Sequence, residues 1–249
     1  MSFLPLCISA ADAVASYRRH GACLVRLEFT ESWGFALDEL QRWCCEAGDY
    51  VERNPHWLSK LSRAEGCDSP SSRHSLNHWS NSNYPEWQAM LKEMQCHSSV
   101  VSDLLLSLAV DTGYSSFKHG LCGGDLVRPH GITGQKVHSD GGRPCSEHEL
   151  RNTPWMAMSI AVHDIGLTNA PLSFWGIDSM RGHYDNFNAV PSACAEVGLN
   201  FEETLVCMSR GDILVRNPLV WHCGTGNQGG LTRYLPAIQW EACDDVHDA

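Results

Sequence analysis

The chain has no basic run longer than Arg18-Arg19 and no apolar stretch near the roughly 20 residues of a membrane-spanning helix. Its 29 acidic residues outnumber 18 basic ones, for a net charge of −11. Proteins that bind nucleic acid carry a basic footprint. Neither a nucleic-acid partner nor a membrane is therefore expected. There is no C-x-x-C, no H-E-x-x-H, no G-x-S-x-G and no glycine-rich phosphate loop. Dithiol redox motifs, zinc-protease helices, hydrolase elbows and nucleotide-binding loops lose their usual signatures. The first 15 residues are apolar but lack a positive leading segment, and Asp12 interrupts them, so they are not read as a secretion signal. Twelve cysteines in 249 residues fall below the density of a disulfide scaffold. They read as mostly buried thiols in a reducing compartment, which places the protein in the cytoplasm.

What remains is an ordinary globular balance, 43% hydrophobic and 19% charged. A chain of this length buries roughly 70% of its extended surface, enough for one sizeable core. We expect a single domain over 1–249, with a helical part over about 1–113 and a β core over about 114–242. Ala10 to His20 reads as an amphipathic helix stopped by Gly21, followed by a strand over Cys23–Leu27. Thr30 is a plausible N-cap for a second helix, in which Trp33, Leu37, Leu40 and Cys44 recur at helical spacing. Residues 59–84 are polar and read as a loop. Pro85 opens a helix carrying Trp87, Met90, Leu91 and Met94, and Val100–Val110 forms another. Beyond Gly113, short alternating segments take over. Met156, Met158, Ile160 and Val162 share one strand face. A Gly211-Asp212 turn separates Thr204–Met208 from Ile213–Val215, and Arg233 opens a last strand. Short strands between Gly, Pro and Asn turns suggest a sandwich or barrel with N-terminal helices packed on it.

One short motif carries chemistry, Val137-His138-Ser139-Asp140-Gly141-Gly142. Residues two apart on a strand face the same way, so His138 and Asp140 can converge on one metal. A third ligand must come from elsewhere, and His222 in Trp221-His222-Cys-Gly-Thr-Gly-Asn227 is the best candidate. Two histidines and a carboxylate form the facial triad of non-haem Fe(II) oxygenases, which leaves one metal face open.

Taken with the Gly211-Asp212 turn, Tyr17 to Val25, Gly123-Gly124-Asp125 and Arg233, eleven residues after His222, these motifs resemble the phytanoyl-CoA dioxygenase-like superfamily. The resemblance implies a mostly β fold with N-terminal and flanking helices around a double-stranded β-helix (jelly-roll, cupin-like) core. It implies Fe(II) as metal, held by His138, Asp140 and His222, with 2-oxoglutarate and O₂ as co-substrates. Arg233 is the implied partner of the far carboxylate of 2-oxoglutarate, since a guanidinium offers a planar fork for a carboxylate. Gln135 and Thr225 are carried over as further co-substrate contacts. Asn77, Trp175 and Arg181 are candidates to line the substrate pocket. The implied activity is hydroxylation or desaturation of a small-molecule metabolite, with 2-oxoglutarate converted to succinate and CO₂. Retention of Asp140 disfavours halogenation, because related halogenases carry a small residue there. The chain departs from the family in its Asn169–His183 stretch. Pro171-Leu172 is kept but a Pro-Gly-Ser-His turn is not, so known substrates cannot be borrowed. Two alternatives stand beside this reading, a catalytically inactive binding or regulatory protein on the same scaffold and a zinc hydrolase using the same ligands.

Overall fold

The computed structural model describes residues 2–53, 73–76, 85–87, 89–90, 93, 99–130, 134–135, 137–140, 146–180 and 203–244. Helix α1 spans Ala10–His20. The Ser9 side chain caps it by accepting from the Asp12 N–H, and Gly21, at φ 74°, ends it with its N–H on the Tyr17 carbonyl. A side chain at Gly21 would also run into Val220, so both conformation and space require glycine. Helix α2 spans Glu31–Arg53. Thr30 caps it, its Oγ1 accepting from the Trp33 N–H at 3.1 Å. Trp33, Leu37, Leu40 and Cys44 form the fully buried stripe that the spacing predicts, and Trp43 is buried with them. Each such large side chain contributes about 1.5–3 kcal/mol relative to exposure. Helix α3 is Ser99–Asp111, and short helices α4 and α5 are Glu147–Arg151 and Ile177–Met180. Trp87 and Met90 are buried in a helical segment after Pro85, whereas Leu91 and Met94 lie outside the described residues.

The strands are β1 (Ser2–Phe3), β2 (Leu6–Cys7), β3 (Ala22–Arg26), β4 (Arg73–Ser75), β5 (Ser116–Val127), β6 (Trp155–Ile160), β7 (Leu172–Phe174), β8 (Thr204–Val206), β9 (Asp212–Arg216), β10 (His222–Gly224) and β11 (Arg233–Cys243). They build a seven-stranded sheet, β2-β3-β9-β6-β11-β5-β4, and a four-stranded sheet, β1-β8-β7-β10. One apolar cluster lies between the sheets and includes Leu24, Leu214 and Leu235 of the larger sheet and Phe174 and Val206 of the smaller. A second cluster joins the outer face of the larger sheet to the helices through Val25, Met158, Ile213, Val215 and Ile238, with Leu37, Trp43 and Leu104. Alternating residues of one strand thus serve two cores, and the even-numbered face read for Met156–Val162 is the helix-facing one.

Strands β1 to β4 precede residue 113 and join both sheets, while α4 and α5 follow it. One expectation is corrected. The polar stretch expected to be a loop contributes β4, which pairs with the edge of β5. Its three residues, Arg-His-Ser, have no apolar alternation to read, and only pairing makes them a strand.

Candidate metal centre

His138 and His222 face each other across an isolated antiparallel bridge and exchange both backbone N–H···O bonds at 2.9 Å. Asp140 lies beyond the bridge, its N–H donated to the Pro218 carbonyl at 2.9 Å. The expected convergence of His138 and Asp140 therefore rests on two backbone anchors, one to the first residue of β10 and one to Pro218 before it, rather than on a regular strand. Asp140 Oδ1 is 3.6 Å from His138 Nε2, and Oδ2 is 3.4 Å from His222 Nε2. One ligand atom from each residue lies within 4.8 Å of the others, a set that could hold a metal ion. His222 is buried, and its Nδ1 is 2.8 Å from the Val220 carbonyl. With Nδ1–H donated there, the Nε2 lone pair faces Asp140, the tautomer a metal ligand needs. Arg216, at the end of β9, donates from Nη2 to Asp140 Oδ2 at 2.5 Å. Desolvation would raise the Asp140 pKa. The Arg216 guanidinium outweighs it and holds the carboxyl well below its usual range. Asp140 therefore stays anionic, as a ligand must.

Beside this group lies a second polar cluster. Arg233 is 1% exposed at the start of β11. Its Nη1 donates to Asp125 Oδ1 at 2.6 Å and its Nη2 to Asp125 Oδ2 at 3.1 Å. Arg73, on β4, also donates to Asp125 Oδ2. The register explains the meeting. Arg73 and Arg233 both lie opposite Val127 of β5, one on each side, and Asp125 is two residues along the same strand. Arg73 reaches on toward the smaller sheet, donating to Gln135 Oε1 at 3.1 Å and to the Thr225 carbonyl at 3.0 Å. It passes so close to Gly224 that a Cβ there would strike the guanidinium. Burial lowers the Arg233 pKa, with Arg73 adding to that and Asp125 opposing it. Burial alone would raise Asp125, but Arg233 and Arg73 leave it below its ordinary value.

No protein-family model matches the chain, and no curated protein does either. Solved structures do match. The non-haem alpha-ketoglutarate-dependent carbocyclase SnoK from nogalamycin biosynthesis superposes with TM-score 0.65 at 17% identity, over 97% of this chain and 90% of its own. AviO1 from Streptomyces viridochromogenes Tue57 does so with TM-score 0.60 at 16% identity, over 98% of both chains. EctD from S. alaskensis, solved with 2-oxoglutarate and 5-hydroxyectoine, does so with TM-score 0.58 at 15% identity, over 94% of this chain and 77% of its own. The fold is that of the non-haem iron, 2-oxoglutarate-dependent oxygenases.

Within this oxygenase fold the sequence candidates fall as follows. His138, Asp140 and His222 meet. Gln135 faces the arginine cluster, its Oε1 accepting from Arg73 and from the Gly224 N–H at 2.9 Å. The Thr225 hydroxyl is spent on the Pro171 carbonyl at 2.8 Å, and its own carbonyl serves Arg73. Trp175 is half-buried against the inter-sheet core, and its N–H bonds the Trp221 carbonyl at 2.9 Å. Asn77 and Arg181 lie outside the described residues.

Two remaining motifs are structural. Asp212, after the left-handed Gly211, accepts two bonds from Arg26 and so ties β9 to β3. Buried Asn227 bonds the Val127 and Leu231 carbonyls and closes the loop that sets Arg233 eleven residues after His222. Sequence reading misses Arg73 and Arg216. Neither stands in a motif, although Arg216 directly precedes Asn217-Pro218, the segment on which Asp140 is anchored. Asp125 belongs to the Gly123-Gly124-Asp125 pattern, which by itself gives it no role.

Proposed function

We propose that the protein is an Fe(II)- and 2-oxoglutarate-dependent dioxygenase that hydroxylates or desaturates a small-molecule metabolite. The observation that carries this reading is the coexistence of two features in one oxygenase fold. One is a His-Asp-His group. The other is a buried arginine pair that bonds only one carboxylate among the described residues. Both features suit the ligands. Two imidazoles and a carboxylate on one side of a metal match the facial triad of non-haem iron. Two buried guanidiniums against one aspartate leave a positive charge to be balanced, and both arginine Nε atoms are buried without a partner among the described residues. A dicarboxylate meets that need. Gly224, beside Arg73, is two residues along β10 from His222. That step of about 7 Å is on the scale of a five-carbon diacid reaching from metal to arginine.

When bound, the iron supplies oxygen activation coupled to oxidative decarboxylation of 2-oxoglutarate to succinate and CO₂. The chain's own residues do the rest. His138, Asp140 and His222 hold the metal from one side, and Val220 fixes the His222 tautomer. Arg216 keeps Asp140 charged and oriented. Arg233, with Gln135 nearby, receives the far carboxylate. We read 1–249 as one such domain. We read its setting as reducing and cytoplasmic, where cysteines are kept as thiols. Among the described residues, no helix is long and apolar enough to cross a membrane.

The test is an anaerobic titration of the protein with Fe(II) and then 2-oxoglutarate, followed through the visible metal-to-ligand charge-transfer band. The expected result is a band that is lost in His222→Ala and weakened in Arg233→Ala. Asp140→Ala and His222→Ala are expected to lower succinate formation by more than about a hundredfold, beyond what changes outside the ligand set do. Absence of the band in folded, metal-loaded protein would favour the binding-protein alternative.

A further inference from the structure

The Arg233 fork is already filled by a carboxylate of the chain itself. Asp125 takes both Nη donors end-on, the geometry a ligand carboxylate would adopt. The order of burial is informative. The Arg233 side chain is 1% exposed and the Arg73 side chain 3%, while Asp125 is 24% exposed. The carboxylate is the most open member of the trio, and the guanidiniums lie behind it. Asp125 also has two holders, since its Oδ2 accepts from Arg233 and Arg73 together. Arg73 is in turn fixed independently of Asp125 by Gln135 and the Thr225 carbonyl.

We propose, resting on the 2-oxoglutarate reading above, that Asp125 is an internal stand-in for the far carboxylate of the co-substrate. It holds the Arg233 fork in shape and yields it when 2-oxoglutarate binds, remaining on Arg73. Asp125 and Arg73 thereby set the affinity for the co-substrate. No bond is made or broken in this exchange; one charge-assisted pair replaces another. Asp125 competes with the ligand, and Arg73 lowers the cost of moving it aside. Both effects act only on ligands that carry a far carboxylate.

The experiment measures, by anaerobic calorimetry on Fe(II)-loaded protein, the Kd of 2-oxoglutarate and of 2-oxopentanoate, which has the same 2-oxoacid head and chain length but no far carboxylate. Asp125→Asn is expected to tighten 2-oxoglutarate by about tenfold, the change associated with one charge-assisted hydrogen bond, and to leave 2-oxopentanoate unchanged. Arg73→Gln is expected to weaken 2-oxoglutarate by about tenfold on the same grounds, again without effect on 2-oxopentanoate. The two variants carry the test separately, so loss of folding in one leaves the other decisive. Unchanged 2-oxoglutarate affinity in either folded variant, weaker binding in Asp125→Asn, or equal shifts for both ligands would overturn the proposal while leaving the co-substrate reading standing. Unmodified protein that binds Fe(II) but not 2-oxoglutarate would overturn both.

Discussion

Arg216 stands one bond beyond the proposed metal ligands. It donates to Asp140 Oδ2, the oxygen that faces His222, so it controls both the charge and the direction of that carboxylate. Arg216→Leu is expected to weaken Fe(II) binding by about 10- to 100-fold, the usual range for partners of metal ligands. A metal titration checks this, with far-UV circular dichroism as the control for folding. His163 makes a different kind of contact. Its Nδ1 meets the Asp164 carbonyl at 2.9 Å, and its Nε2 accepts the Tyr234 N–H at 3.0 Å, next to Arg233. Burial pushes its pKa below the ordinary 6.5, against the upward pull of the Asp164 carbonyl, and the nearby Arg233 charge adds a smaller push downward. The neutral ring is the one that fits, because protonation removes the acceptor that Tyr234 needs. As pH falls below about 6.5 the unfolded chain takes up this proton and the folded chain does not. The His163 contribution is thus full above that pH and is lost as pH falls toward the lowered folded value. Denaturant midpoints across this window should fall with pH in the unaltered protein and less steeply in His163→Gln.

At the scale of elements, the site depends on how closely β10 approaches β4 and β5. Gly224 has no side chain because the Arg73 guanidinium occupies the space. Gly224→Ala must displace Arg73 or open the gap between the sheets, and is expected to cost about 1–3 kcal/mol, as overpacking does. Thermal unfolding measures that cost, and the Kd for 2-oxoglutarate should rise with it because Arg73 is moved. The helices are the readable elements. The α1 boundaries follow from Ser9 and Gly21, and the start of α2 from Thr30, since caps and 3.6-residue periodicity are local properties of the chain. The strands are readable where they alternate, as in β6. The β4 strand is not, because three polar residues become a strand only by pairing with β5. The segments around Gly211 show the same limit. β8 and β9 flank one turn yet belong to different sheets, which no local pattern indicates.

For the whole molecule, ligand binding should appear as stability. If Fe(II) and 2-oxoglutarate bind the folded chain and not the unfolded one, each at about 100 times its Kd adds about 2.7 kcal/mol. For a chain of this size that raises Tm by several degrees, at about 2–4 °C per kcal/mol. A chelator should reverse the metal part of the shift, and differential scanning measures both. The proposed ligand group is legible in the amino-acid sequence because metal chemistry restricts residue types so strongly. His138, Asp140 and His222 stand out by identity, and Arg233 by its distance from His222, which the Asn227-closed loop explains. Local sequence suffices for the helices with their caps, for singling out His138, Asp140 and His222, and for the class of fold. What surrounds the ligands comes from tertiary packing. Packing sets Arg216 on Asp140, interleaves strands from both halves of the chain, and brings Arg73, Asp125 and Arg233 together across three strands. Those meetings join residues as far as 202 positions apart, Ser2 to Thr204. Cross-strand register creates them, and register is a property of the assembled sheet rather than of any segment within it.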